Sequence, residues 1–132
     1  MSTLTATAPG LTLRTALRVD GWSTGAFGIV MLACARLLRD PLGLPTAWSI
    51  PFGVAMLGGA AALLLIAGYP EIPDALAITV VAANLLSGLG MAVLAFLDVI
   101  PLTGWGTAFL LVGAAVVVLF ADLEYLAYRR DR

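Results

Sequence analysis

Residues 74–98 read Asp74-ALAITVVAANLLSGLGMAVLAFL-Asp98, a run of 23 uncharged positions held between two aspartates. A helix rises ~1.5 Å per residue and must cover ~30 Å of hydrocarbon, so the run is long enough to cross a membrane once. Near its middle stands one strongly polar side chain, Asn84. Working outward, residues 99–121 give another 23 uncharged positions, residues 41–70 give 30 and residues 21–35 give 15. The 41–70 gap opens with Pro41, Gly43, Pro45 and Pro51, which marks a loop before a single helix ending near Tyr69-Pro70. The 15-residue gap is too short alone. Extended back through Leu13 and forward through Leu38, it becomes a span with arginines reaching for water at both ends. The spacing therefore predicts an all-α fold, a transmembrane four-helix bundle with spans at about 13–38, 47–68, 75–97 and 104–127. Residues 1–12 are expected to form a disordered tail on the cytoplasmic side, small and polar without charge.

Composition agrees. Of 132 residues 61% are hydrophobic and 11% charged, and the mean hydropathy is +1.04. Eight acids nearly balance seven bases, for a net charge of −1, so no basic surface exists to grip nucleic-acid phosphates. With no histidine and a single cysteine, Cys34, the chain lacks the material for bis-histidine haem, zinc sites, disulfides and histidine-based catalytic triads. Cys34 is expected to be a buried small hydrophobe. Gly88-Leu-Gly90 lies inside a span and lacks the strand-to-helix setting of a nucleotide loop. Neither an enzyme nor a cofactor site is expected.

Four spans put both termini on one side, together with Arg14, Arg18, Arg129, Arg130 and Arg132, while Arg36 and Arg39 lie opposite. The positive-inside rule then places the termini in the cytoplasm. In lipid, helices associate through close backbone approach and hydrogen bonds, so small and polar residues mark packed faces. Gly21, Gly25 and Gly28 form such a stripe in the first span. Gly88 shares one with Asn84 and Asp98 in the third, and Gly113 shares one with Glu124 in the fourth.

Three polar sites follow. Asn84, about 15 Å into the membrane, is read first as a bridge between helices and second as a point on a polar path. Arg18, Asp20 and Glu124 fall at similar depth near the cytoplasmic face and are expected to cluster, either as a static ion-pair clasp or as a proton-carrying group. Arg36 and Asp98 are expected to pair at the outer end.

The segments Leu17-Arg18-Val19-Asp20-Gly21, Leu42-Gly43-Leu44-Pro45, Ala83-Asn84 and Asp122-Leu123-Glu124-Tyr125 together resemble small uncharacterised four-span integral membrane proteins of bacteria, frequent in actinobacteria. The resemblance runs over most of residues 13–130. It implies a bacterial inner-membrane location and a compact four-helix fold, and no activity. The small multidrug-resistance transporters share the size and span count, but their membrane-embedded glutamate sits in the first span, and here no glutamate precedes Glu71. The leading expectation is a structural or accessory protein whose partners are the lipid bilayer and either its own copies or a larger membrane complex. A small-molecule or proton-coupled transporter is the alternative, and a lipid- or quinone-binding module the third reading.

Overall fold

The computed structural model describes residues 12–131, and the expected tail at 1–11 lies outside them. Thr12, counted with that tail, instead caps the first helix: its hydroxyl accepts from the Thr15 amide, satisfying one of the orphan donors of the first turn. The elements are α1 (Leu13–Ala33), α2 (Ala35–Leu42), α3 (Thr46–Ala67), α4 (Asp74–Phe96) and α5 (Gly104–Arg130), and no strand occurs among the described residues. The chain is an all-α bundle. Three helices, α3, α4 and α5, are long and apolar enough to cross a membrane, and α1 with α2 makes a fourth span if the bent pair counts as one.

That bend corrects the expected first span. Instead of running straight to Leu38, the helix breaks at Cys34 and α2 turns away by 85°. The physical reason is amphipathicity. Arg36, Arg39 and Asp40 lie exposed on α2 while Ala35 and Leu42 are buried, and a helix turned away from the axis of α1 leaves its charges free of the hydrocarbon into which a continued span would carry them. Cys34 closes α1, its amide donating to the Val30 carbonyl at 2.8 Å, and is half-buried rather than buried.

α1 packs along α3, α4 packs along α5, and α1 meets α5 to join the two pairs. Both long seams run over glycine. A methyl added at Gly28 would stand 3.1 Å from the Gly53 carbonyl, and one at Gly21 would stand 2.9 Å from Leu64. Gly25 faces Ala60 across the same seam. In the other pair Gly88 faces Val117 and Val118, and Gly113 faces the Met91 sulfur. All five glycines expected at packed faces thus lie against a neighbouring helix. Close backbone approach does here what the hydrophobic effect does in water.

The bundle ends are tied by backbone groups. At the end carrying the described termini, the Arg14 guanidinium donates to the Ala67, Tyr69 and Pro70 carbonyls, closing the C-terminus of α3, where a cation also favours the helix dipole. The Leu13 amide donates to the Asp131 carboxylate at 3.3 Å. At the opposite end Thr103 caps α5 and also donates its hydroxyl to the Pro41 carbonyl at 2.7 Å, while its amide donates to the Leu42 carbonyl at 3.0 Å. Gly43, at φ +64°, turns the chain there in a left-handed conformation, and a side chain on it or on Gly106 would strike the Pro101 or Leu42 carbonyl.

Gly106→Ala and Gly88→Ala should each destabilise the bundle by ~1–3 kcal/mol through overpacking. Gly58 and Gly59 face open space, and Gly58→Ala should keep stability or raise it by up to ~1 kcal/mol, alanine being the better helix former. Thermal unfolding of the purified variants in detergent measures the difference, and equal melting of all three would show that the seams are not close-packed.

Candidate functional site: a carboxylate pair bridged by one amide

Two apolar clusters fill the bundle. At the terminus-bearing end are Leu13, Leu17, Leu63, Ala67, Ala77, Val80 and Ala127, and at the other Met31, Leu42, Leu44 and Ile100. Between them α1, α4 and α5 send in polar side chains. Asn84 of α4 donates its amide nitrogen to Asp20 Oδ2 of α1 at 2.9 Å and to Glu124 Oε1 of α5 at 2.8 Å. Thr24, one helical turn beyond Asp20, donates its hydroxyl to Asp20 Oδ1 at 3.0 Å. Asp20 is 1% exposed and Glu124 0%. Both carboxyl groups reach the one Asn84 amide nitrogen, and Glu124 Oε2 is buried with no hydrogen-bond partner among the described residues.

The donor inventory defines the chemistry. An asparagine amide carries two hydrogens, and here they go to carboxylates on two different helices. Turned the other way, its carbonyl oxygen would face the Asp20 carboxylate, an acceptor, so the network itself sets the orientation. Asn84 and Thr24 supply three hydrogens to four carboxylate oxygens. Asp20 receives two and Glu124 one.

Of the expected cluster, Asp20 and Glu124 are brought together and Arg18 is not. Two positions before Asp20 on a helix is about 200° around it, so with Asp20 inside, Arg18 faces outward. It is exposed and makes no ion pair among the described residues. Depth counted along the sequence placed Arg18 near the acids but carried no information about azimuth. Asn84, read as a separate bridge nearer the midplane, belongs to the same layer as the acids. Counting from helix ends ignored the stagger between α4 and its neighbours. The missed member is Thr24, whose i, i+4 relation to Asp20 was visible.

The expected Arg36–Asp98 pair does not form. Both are exposed and unpaired among the described residues, because the 85° bend carries Arg36 away on α2 while Asp98 lies in the loop after α4. The one ion pair recorded there joins Arg39 to Asp40 at 3.4 Å on the surface, where such contacts contribute little. Among the described residues no group of three acids or thiols is placed to hold a metal ion.

No family model matches the chain, and neither the curated proteins nor the solved structures show a match to it.

A double-mutant cycle separates the groups. Asp20→Asn and Glu124→Gln should be coupled in thermal stability by ~0.5–3 kcal/mol, whereas Arg18→Ala and Glu124→Gln should add within ~0.5 kcal/mol. Asn84→Leu, which strips both carboxylates of their shared donor, should cost ~3–5 kcal/mol, as for a broken buried charge network. Unchanged stability in Asn84→Leu would remove the bridge.

Proposed function

We propose that this chain is a small multi-pass integral membrane protein of structural or accessory type, held in a bacterial cytoplasmic membrane with both termini inside and attached to its own copies or to a larger membrane complex. No enzymatic reaction is assigned to it. The observation that carries the reading is how the interior is filled. Glycine-to-helix contacts close both seams, apolar side chains fill the layers above and below the polar one, and backbone bonds tie both ends. The described clefts support it, since one of about 250 Å³ lined by Thr12, Leu13, Arg14, Ile72 and Asp131 and another at Glu71–Asp74 both open at the terminus-bearing end rather than between the spans. The arginine distribution supports the orientation, and the resemblance to small bacterial four-span proteins supports the membrane. A proton-coupled transporter is the second reading, favoured by a carboxylate pair without a facing cation in a membrane interior.

Orientation is tested in a Cys34→Ser background by single cysteines at Glu71 and Asp98, both exposed and at opposite ends. In intact cells an impermeant thiol reagent should label the Asp98 site and spare the Glu71 site, and the reverse pattern overturns the topology. Association is tested by extraction from native membranes in mild detergent. The protein should emerge with stoichiometric additional mass, from copies or a defined partner. A single chain in its micelle, together with pH-driven solute flux in proteoliposomes, would establish the transporter in its place.

A further inference from the structure

We infer that the Asp20–Asn84–Glu124 layer is a proton-binding site, with one exchangeable proton resident on Glu124, loaded and released through the terminus-bearing end of the bundle. This stands independently of the accessory reading, because it concerns what the layer binds and not what the bundle attaches to.

The ligand follows from the donor count. Two buried carboxyl groups share one amide nitrogen, at 2.9 and 2.8 Å, with no cation paired to either among the described residues, and a proton is the smallest ligand that neutralises one of them. Asp20 already accepts from Thr24 and Asn84, whereas Glu124 accepts once and leaves Oε2 buried without a partner. A proton on Glu124 gives the carboxyl a donor hydrogen where Oε2 has no partner and removes one of two charges from a dry place. A metal cation fits poorly. It needs oxygen lone pairs from every side, and Asn84 presents hydrogens to both carboxylates.

No other charge competes. α1 adds Arg14, bound to the Ala67, Tyr69 and Pro70 carbonyls at the end of the bundle, and Arg18, which is exposed; α4 adds Asp74 at its far N-terminus; α3 has no ionisable residue. On α5, Asp122, Tyr125, Arg129 and Arg130 are exposed and Tyr128 packs against the apolar cluster at the end. Arg36, Arg39 and Asp40 of α2 lie at the opposite end of the bundle, exposed.

Sidedness follows from length. Glu124 is six residues from Arg130, ~9 Å of helix, and twenty from Gly104, ~30 Å. On the short side the barrier is one thin apolar layer containing Leu17, Val80 and Ala127, with the Thr12–Asp131 cleft at the same end. The step is a simple exchange: hydronium delivers a proton to the Glu124 carboxylate and leaves as water, and the reverse returns it.

The test uses the full chain in lipid nanodiscs. Infrared spectra should show a protonated-carboxyl stretch that disappears as pH rises and is missing in Glu124→Gln. An apolar carbodiimide, which adds to a protonated carboxyl and rearranges to a stable N-acylurea, should modify Glu124 but not exposed Asp122, with modification falling as pH rises. In Asp20→Asn the modification should weaken at the same pH, since one charge has already gone. Absence of both the Glu124 band and the adduct, or an adduct on Asp20 alone, overturns the assignment. If the band is present and lost in Glu124→Gln while no adduct forms, the proton is confirmed and the reagent was merely excluded. For sidedness, Leu17→Ala thins the short barrier and Met31→Ala makes a comparable cavity at the far end, both residues being buried. Hydrogen–deuterium exchange of the carboxyl band should quicken severalfold in Leu17→Ala alone. Equal acceleration in both variants, or acceleration in Met31→Ala alone, overturns entry from the terminus side.

Discussion

One amide group holds two carboxylates on separate helices inside an apolar bundle, and the arrangement of α1, α4 and α5 depends on it. Asn84 donates to Asp20 and to Glu124, so the pair α1–α3 and the pair α4–α5 are joined at a point where misplacing any member leaves a buried charge without a donor. Outside water such a fault is expensive, which makes the layer a register mark as much as a contact. The Phe27–Phe109 ring contact, at 6.2 Å between centroids, adds apolar contact between α1 and α5. Being non-directional, apolar packing constrains register less than a pair of hydrogen bonds does.

The seams explain how polar side chains can meet at all. An amide bridge between helices demands short interaxial distances, and glycine provides them along α1–α3 and α4–α5. Hydrogen bonds to backbone carbonyls at the ends then hold those distances against fraying: Arg14 on Ala67, the last residue of α3, and on Tyr69 and Pro70 just beyond it, and Thr103 on the carbonyls of α2. Seams, ends and polar layer support one another, as expected where local and tertiary preferences agree.

A layer built in this way joins two roles usually kept apart. As glue it is incomplete, since three donor hydrogens serve four oxygens. The shortfall falls on Glu124, and the same shortfall makes the layer a place for a proton.

Much was decided by the sequence alone. Uncharged runs bounded by acids and arginines set the helices, because hydrocarbon thickness fixes the length of a span and charge marks its end. Glycine spacing set the packed faces, and the helical period turned Asp20 and Glu124 inward. Tertiary structure alone decided three things. The bend at Cys34 depends on α2 finding a surface for Leu42 and on the Leu42 and Pro41 carbonyls meeting Thr103, contacts 61 and 62 residues apart in the chain. The exclusion of Arg18 depends on azimuth around α1, which a depth count does not carry. The union of Asn84 with both acids depends on stagger between helices, and that is set by how side chains of neighbouring helices interlock, a property no single span contains.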